Sequence, residues 1–190
     1  MYRENIDKLE LAELPLIQFE GKISMIESKE EYLDSIEYLS QQSLLGFDTE
    51  TKPAFKKGEF NEVALLQLAT KDRAFLFRLN RIGFGNALKS ILENPEIRKV
   101  GVAIRDDIKG LQKMNNFKPG GFVELQEHVI DFGIHDFSLK KISAIVLGYR
   151  ISKAQRVTNW EAQDLSEAQQ IYAATDAWIS HRIYESLNQQ

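Results

Sequence analysis

Asp48 and Glu50 stand two residues apart at the end of LLGFDTET (44–51), a run whose leading residues suit a buried strand. Side chains alternate along a strand, so both acids project to the side of Gly46, away from Leu45 and Phe47. Two solvated acids at a sheet edge would give the same pattern. Two further acids sit on stripes that are otherwise apolar. In RDDIKGLQKMNN (105–116), read as a helix, Asp107 shares a stripe with Leu111 and Met114, while Asp106 aligns with Gly110 and Lys113 on a wet face. An acid in a first helical turn is also the ordinary N-cap, and that role is assigned to Asp106. In YAATD (172–176), Tyr172 and Asp176 lie one above the other on a helix, in a stripe continued by Ile179, Ile183 and Leu187. A Tyr–Asp hydrogen bond closing a core gap accounts for that pair equally well.

The chemistry follows if the four acids meet. Two carboxylates about 5 Å apart repel by roughly 3 kcal/mol at an effective dielectric of 20. Four acids make six such pairs, against a typical folding stability of about 5–15 kcal/mol. Such a cluster must take up protons or bind cations. The chain has no cysteine, and His128, His135 and His181 are scattered, so an oxygen-ligated ion, Mg²⁺ or Mn²⁺, is favoured over zinc. Periodicity alone does not bring the acids together; the fold must.

The elements that would position them read as follows. Residues 1–21 are acidic and weakly patterned, an expected extended arm; 22–190 form a single domain. KISMI (22–26) suits a strand and KEEYLDSIEYLSQQ (29–42) a helix. EVALLQLAT (62–70) and RAFLFRL (73–79) flank Lys71-Asp72 as a hairpin. FGNALKSILEN (84–94) is helical up to Pro95, IRKVGVAI (97–104) is a fourth strand and FVEL (122–125) a short fifth. LQEHVIDFGI (125–134), SLKKISAIVLG (138–148, with Gly148 as C-cap) and LSEAQQIYAATDAWISHRIYESL (165–187, with Ser166 as N-cap) read as helices. The expected fold class is α/β, a mixed sheet with helices on both faces.

Composition bounds the rest. The 190 residues are 43% hydrophobic and 27% charged, fitting one compact domain. No apolar run approaches the roughly 18 residues of a membrane helix, so no membrane association is expected. MYRENIDKLE lacks the apolar stretch of a signal peptide, and the absence of cysteine suits a reducing, intracellular (cytoplasmic) setting. The net charge of −4 is uneven: residues 1–37 hold ten acids and four bases, whereas 137–160 holds Lys140, Lys141, Arg150, Lys153 and Arg156 with no acid. That patch suits phosphate contacts, and equally a solvated face.

FDTE (47–50), VGVAIRDDIKGL (100–111), NW (159–160) and YAATDAW (172–178), with VALLQLAT, FVEL and SLKKI between them, resemble the DEDD-type 3′–5′ exonucleases over roughly 22–188. Tyr172, four residues before Asp176, marks the tyrosine subclass; the sister subclass carries a histidine five residues before that acid, where this chain has Ile171. The resemblance implies a ribonuclease-H-like fold and a site of Asp48, Glu50, Asp107, Tyr172 and Asp176. Of these the four acids would hold two divalent ions, Mg²⁺ or Mn²⁺. It implies stepwise hydrolysis of single-stranded or 3′-recessed DNA or RNA, releasing nucleoside 5′-monophosphates. Thr49, Lys140, Arg150, Lys153 and Arg156 are the expected nucleic-acid contacts, with Lys141, Lys52, Lys56 and Lys57 as further phosphate candidates. Trp160 is expected to anchor the last helix from within the core; Phe55 and Phe60 would either face substrate or cover the sheet. The competing expectations are ribonuclease-D-like RNA 3′-end processing, a catalytically silent nucleic-acid binder, and an adaptor whose acidic arm docks a partner. Thr51-Lys52, Ala103 and Glu127 depart from the family's usual residues, and none of them removes a metal ligand.

Overall fold

The computed structural model describes residues 2–56, 58 and 60–189; Lys57, one of the phosphate candidates, lies outside them. Six strands form one sheet in the order β1-β4-β3-β2-β5-β6. These are β1 (Lys22–Ile26), β2 (Leu44–Thr51), β3 (Val63–Ala69), β4 (Arg73–Arg78), β5 (Arg98–Gly101) and β6 (Phe122–Glu124). The β2–β3–β4 meander is antiparallel, while β1, β5 and β6 join it by parallel pairings. The central strands are buried on both faces and so read as continuous apolar runs, VALLQLA and RAFLFR, with little alternation to show which side is which.

Helices cover both faces. On one, α2 (Lys29–Ser40), α4 (Asn86–Glu93) and α5 (Arg105–Met114) bury Leu39, Leu88, Ile91, Leu92 and Leu111 against Leu45, Phe47, Leu66 and Leu68. On the other, α7 (Leu139–Leu147) and α8 (Glu167–Asn188) bury Ile142, Ile145, Ala173, Ala177, Ile179 and Ile183 against Leu65, Ala69, Leu76 and Val100. Serine caps set three of these starts. Ser28 and Ser166 close capping boxes with Glu31 and Gln169, and the Ser138 hydroxyl accepts from Lys141 N–H. Gly148 ends α7 at φ 74°, the left-handed cap its position suggests. Short α3 (Leu79–Ile82) follows β4 directly, and α6 (Leu125–His128) follows β6.

The long helix α8 lies almost on the backbone of β2. A Cβ at Gly46 would come within 1.8 Å of the Ala177 carbonyl oxygen, so only glycine lets helix and strand approach this closely. Gly46, Asp48 and Glu50 share a face, and this contact fixes that face as the one beneath α8.

Three expectations are corrected. Residues 1–21 are not an extended arm: Asp7 caps the short helix α1 (Lys8–Glu13), and Ile6, Leu11 and Phe19 are buried in the α8-side core. The strand expected over 97–104, here β5, stops at Gly101. Ala103 takes φ 59°, and the Ala103 and Ile104 N–H groups both donate to the Glu124 carboxylate, 2.8 Å each, which turns the chain into α5. Only the first turn of LQEHVIDFGI is α-helical; Val129–Phe132 is a 3₁₀ turn closed by Gly133 in the left-handed region. Lys99, fully buried on β5, is held by three carbonyls at the end of α4 and the turn beyond: Ile91, Asn94 and Ile97, at 3.0, 2.7 and 2.6 Å.

Candidate active site

Asp48 and Glu50, on the α8 face of β2, meet Asp176 from α8. One carboxylate oxygen from each lies within 4.8 Å of the others. Strand alternation and the Gly46 approach bring this about: the first aims both strand acids upward, and the second seats the helix low enough for Asp176 to reach them. The three are the group of acids that could hold a metal ion among the described residues. Every donor is a carboxylate oxygen, and no histidine or cysteine lies among them, a set that fits Mg²⁺ or Mn²⁺.

Crowding is written in the protonation equilibria. Burial, then the charges of Asp176, Glu50 and Asp107, push Asp48 well above the usual carboxylate range. Burial, then Asp176 and Asp107, raise Glu50 to about 9, against the pull of the Arg156 guanidinium. Burial takes Asp176 up to about 7 although the Tyr172 hydroxyl and the Lys153 charge both draw it down. Without a counter-ion the cluster retains protons at neutral pH.

Asp107 stands beside the trio rather than in it. Its helix stripe is as read from sequence, with Leu111 buried and Met114 packed below. Its carboxylate accepts from the Thr49 hydroxyl, and burial lifts it to about 6 while that hydrogen bond restrains the rise. Its charge is felt at both Asp48 and Glu50. Thr49, an expected nucleic-acid contact, has its hydroxyl committed to Asp107. Asp106 is exposed and pairs with Lys109 at 2.9 Å; it is not the N-cap assigned to it from the sequence, because α5 starts from Ile104 without a side-chain cap.

Tyr172 stands one turn before Asp176 on α8, close enough for its hydroxyl to draw the Asp176 carboxyl down. Burial, then the charges of Asp176 and Glu50, raise the phenol above its ordinary range, which favours its protonated form. Trp160, fully buried, sets its ring 6.0 Å from the Tyr172 ring, the anchoring role read from sequence.

A groove of about 360 Å³ opens over the acids, lined by Asp48, Glu50, Tyr172 and Asp176 and by Lys153 and Arg156. Of the expected nucleic-acid contacts, Thr49, Lys153 and Arg156 line it, while Lys140 lies on α7 outside it. Arg150 faces the N-terminal segment: its Nε donates to the Leu14 carbonyl at 2.8 Å, and its backbone pairs with Pro15 and Ile17. Lys141 is tied to Asp136 at 2.6 Å, and Lys52 to Glu161 at 3.3 Å. Phe55 and Phe60 are 83% and 89% exposed, so they do not cover the sheet. Val102, Ala103, Gln126 and Ser138 also line the groove. Sequence reading did not single them out as such, since they come from turns and caps whose placement is set by partners distant in the chain.

A mixed sheet of this order, with carboxylates gathered over its central strand beneath a long helix, is the framework of a ribonuclease-H-like nuclease. A model of the 3′–5′ exonuclease domain matches residues 23–190. The chain belongs to that 3′–5′ exonuclease family. It is 34% identical over 184 residues to the mouse bifunctional 3′–5′ exonuclease/ATP-dependent helicase WRN, covering 92% of this chain but 13% of that protein. It is 28% identical over 165 residues to ribonuclease D of Gluconacetobacter diazotrophicus, covering 86% of this chain and 42% of that protein. The chain thus spans less than half the length of these two relatives. The solved Nibbler exonuclease domain of Aedes aegypti superposes with a TM-score of 0.79 at 25% identity, covering 91% of both chains.

Proposed function

We propose that this chain is a metal-dependent 3′–5′ exonuclease of the tyrosine subclass, removing nucleoside 5′-monophosphates from single-stranded or 3′-recessed nucleic acid. The observation that carries the reading is the meeting of Asp48, Glu50 and Asp176 within 4.8 Å, on a face where each is driven toward protonation unless a cation enters. Asp48, Glu50 and Asp176 would hold Mg²⁺ or Mn²⁺, with Asp107 completing the set for a second ion. When bound, the ions supply an activated water and charge stabilisation for an in-line displacement at the scissile phosphate.

The chain's own groups do the rest. Asp48 and Glu50 are fixed by the β2 ladder, and Asp176 by α8, so the anionic floor is rigid before substrate arrives. Tyr172 keeps its proton, and its hydroxyl orients groups beside Asp176 by donating to them. Lys153 and Arg156 offset the charge of a strand lying in an otherwise acidic groove. Without these two bases, the carboxylates alone would repel the phosphate that must approach them.

The reading is tested with a 5′-labelled oligonucleotide, offered as matched DNA and RNA, in Mg²⁺ or Mn²⁺. A stepwise ladder that Asp48→Ala abolishes is the expected result. The absence of a ladder on either strand with either ion overturns it. A ladder on RNA alone assigns the activity to RNA 3′-end processing, the reading favoured by likeness to a ribonuclease D.

A further inference from the structure

Gln67 stands directly opposite Asp48 in the antiparallel β2–β3 ladder. Opposed residues project to the same face with Cβ atoms about 4.5–5.5 Å apart, so the Gln67 amide lies within reach of the Asp48 carboxylate. Its other neighbours on that face, Leu65, Ala69 and cross-strand Leu76, are apolar. Gln67 is 0% exposed, and neither its amide nitrogen nor its amide oxygen has a hydrogen-bond partner. A buried amide left unpaired is destabilising, and folded chains keep few of them. Leucine or methionine would fill the same space at no such cost. The Asp48 carboxylate accepts a 2.9 Å hydrogen bond from the N–H of its own neighbour, Thr49, through Oδ1.

We propose that Gln67 is a positioning residue for the metal site: its amide N–H donates to the Asp48 carboxylate when that carboxylate carries a divalent ion, fixing which oxygen faces the ion. The inference rests on the metal-binding reading above. A hydrogen bond to an ionised carboxylate is about twice as strong as one between neutral groups, so the amide gains its partner in the loaded state. Groups that orient a metal ligand from behind typically change metal affinity or activity by about 10–100-fold when removed.

The test is Gln67→Met, with Gln67→Leu as a second shape-matched variant. Two quantities are read: the melting temperature in EDTA, and Mn²⁺ affinity by titration calorimetry or by the electron paramagnetic resonance signal of free Mn²⁺. The expected result has opposite signs. The metal-free melting temperature rises by about 2–4 °C, the scale for relieving one unpaired group in a chain of this size, while Mn²⁺ affinity falls about tenfold or more. Wild-type affinity in both variants overturns the inference alone. So does a fall in melting temperature together with affinity, which would make Gln67 an ordinary packing residue. Failure of the wild-type protein to bind Mn²⁺ overturns the metal reading itself, and the inference with it.

Discussion

Without bound metal, the protein should lose stability as pH rises, and Asp176 shows by how much. In the unfolded chain this carboxyl titrates near 3.8; in the folded protein burial raises it to about 7. Across that interval the folded state keeps a proton that the unfolded state has lost. The stabilising difference is therefore full below the lower value and gone above the upper one. A rise of about three pH units, at about 1.4 kcal/mol for each, amounts to about 4 kcal/mol. Roughly 2 kcal/mol of this accrues above pH 5.5, clear of ordinary carboxylates. Glu50, raised to about 9, extends the decline in the same direction to higher pH. Urea unfolding in EDTA at pH 5.5 and 8 reads the effect. The free energy of unfolding should fall by about 2 kcal/mol or more, and Mn²⁺ at a hundred times its dissociation constant should restore about 2.7 kcal/mol at pH 8. Asp176→Asn should be more stable than wild type at pH 8 in EDTA and should lose the rescue by Mn²⁺. Unfolding free energies in EDTA that stay level or rise between pH 5.5 and 8 would refute the account of the cluster as a set of buried, mutually repelling acids.

Tyr172→Phe should lower kcat about tenfold to a hundredfold while leaving Mn²⁺ affinity near wild type; because the phenol is held protonated, the pH–rate profile should keep its shape, and a lost alkaline or acid limb would make Tyr172 a base after all. Lys153→Ala and Arg156→Ala should each flatten the slope of log affinity against log salt by about 0.7 for a single strand, measured by fluorescence anisotropy, whereas Arg150→Ala should leave the slope unchanged and loosen the N-terminal segment to proteolysis. Lys99→Met strands three carbonyls at the end of α4 and should cost about 2–3 kcal/mol in urea unfolding; a neutral result would mean that burying the ammonium, which lowers its pKa to about 8, cancels what its hydrogen bonds contribute.

What the sequence made readable was local. Strand alternation placed Asp48 and Glu50 on the face of Gly46, and helical spacing placed Tyr172 over Asp176 and Asp107 with Leu111, because each relation spans only two to four residues. The strand reading of IRKVGVAI ran three residues too long because VAI is as apolar as a strand should be. The strand ends where Glu124, from β6, captures two backbone N–H groups, and nothing in VAI encodes that. Arg150 looked like a phosphate ligand for the same reason: its charge is visible in the chain, but its partner, the Leu14 carbonyl, is 136 residues away. The acidic composition of residues 1–21 hid three well-placed apolar side chains, Ile6, Leu11 and Phe19, that dock on the core. Gln67 was invisible as a site residue because its significance lies in what it fails to touch.

The site joins side chains on β2 to one on α8, and well over a hundred residues separate them along the chain. During synthesis Asp48 and Glu50 leave the ribosome long before Asp176 exists. A nascent or prematurely terminated polypeptide therefore has two of the three clustered acids, with no helix seated on Gly46 to bring the third. The proposed ligand set is therefore complete only once α8 docks on β2, and a change that unseats the helix from Gly46 would dismantle it.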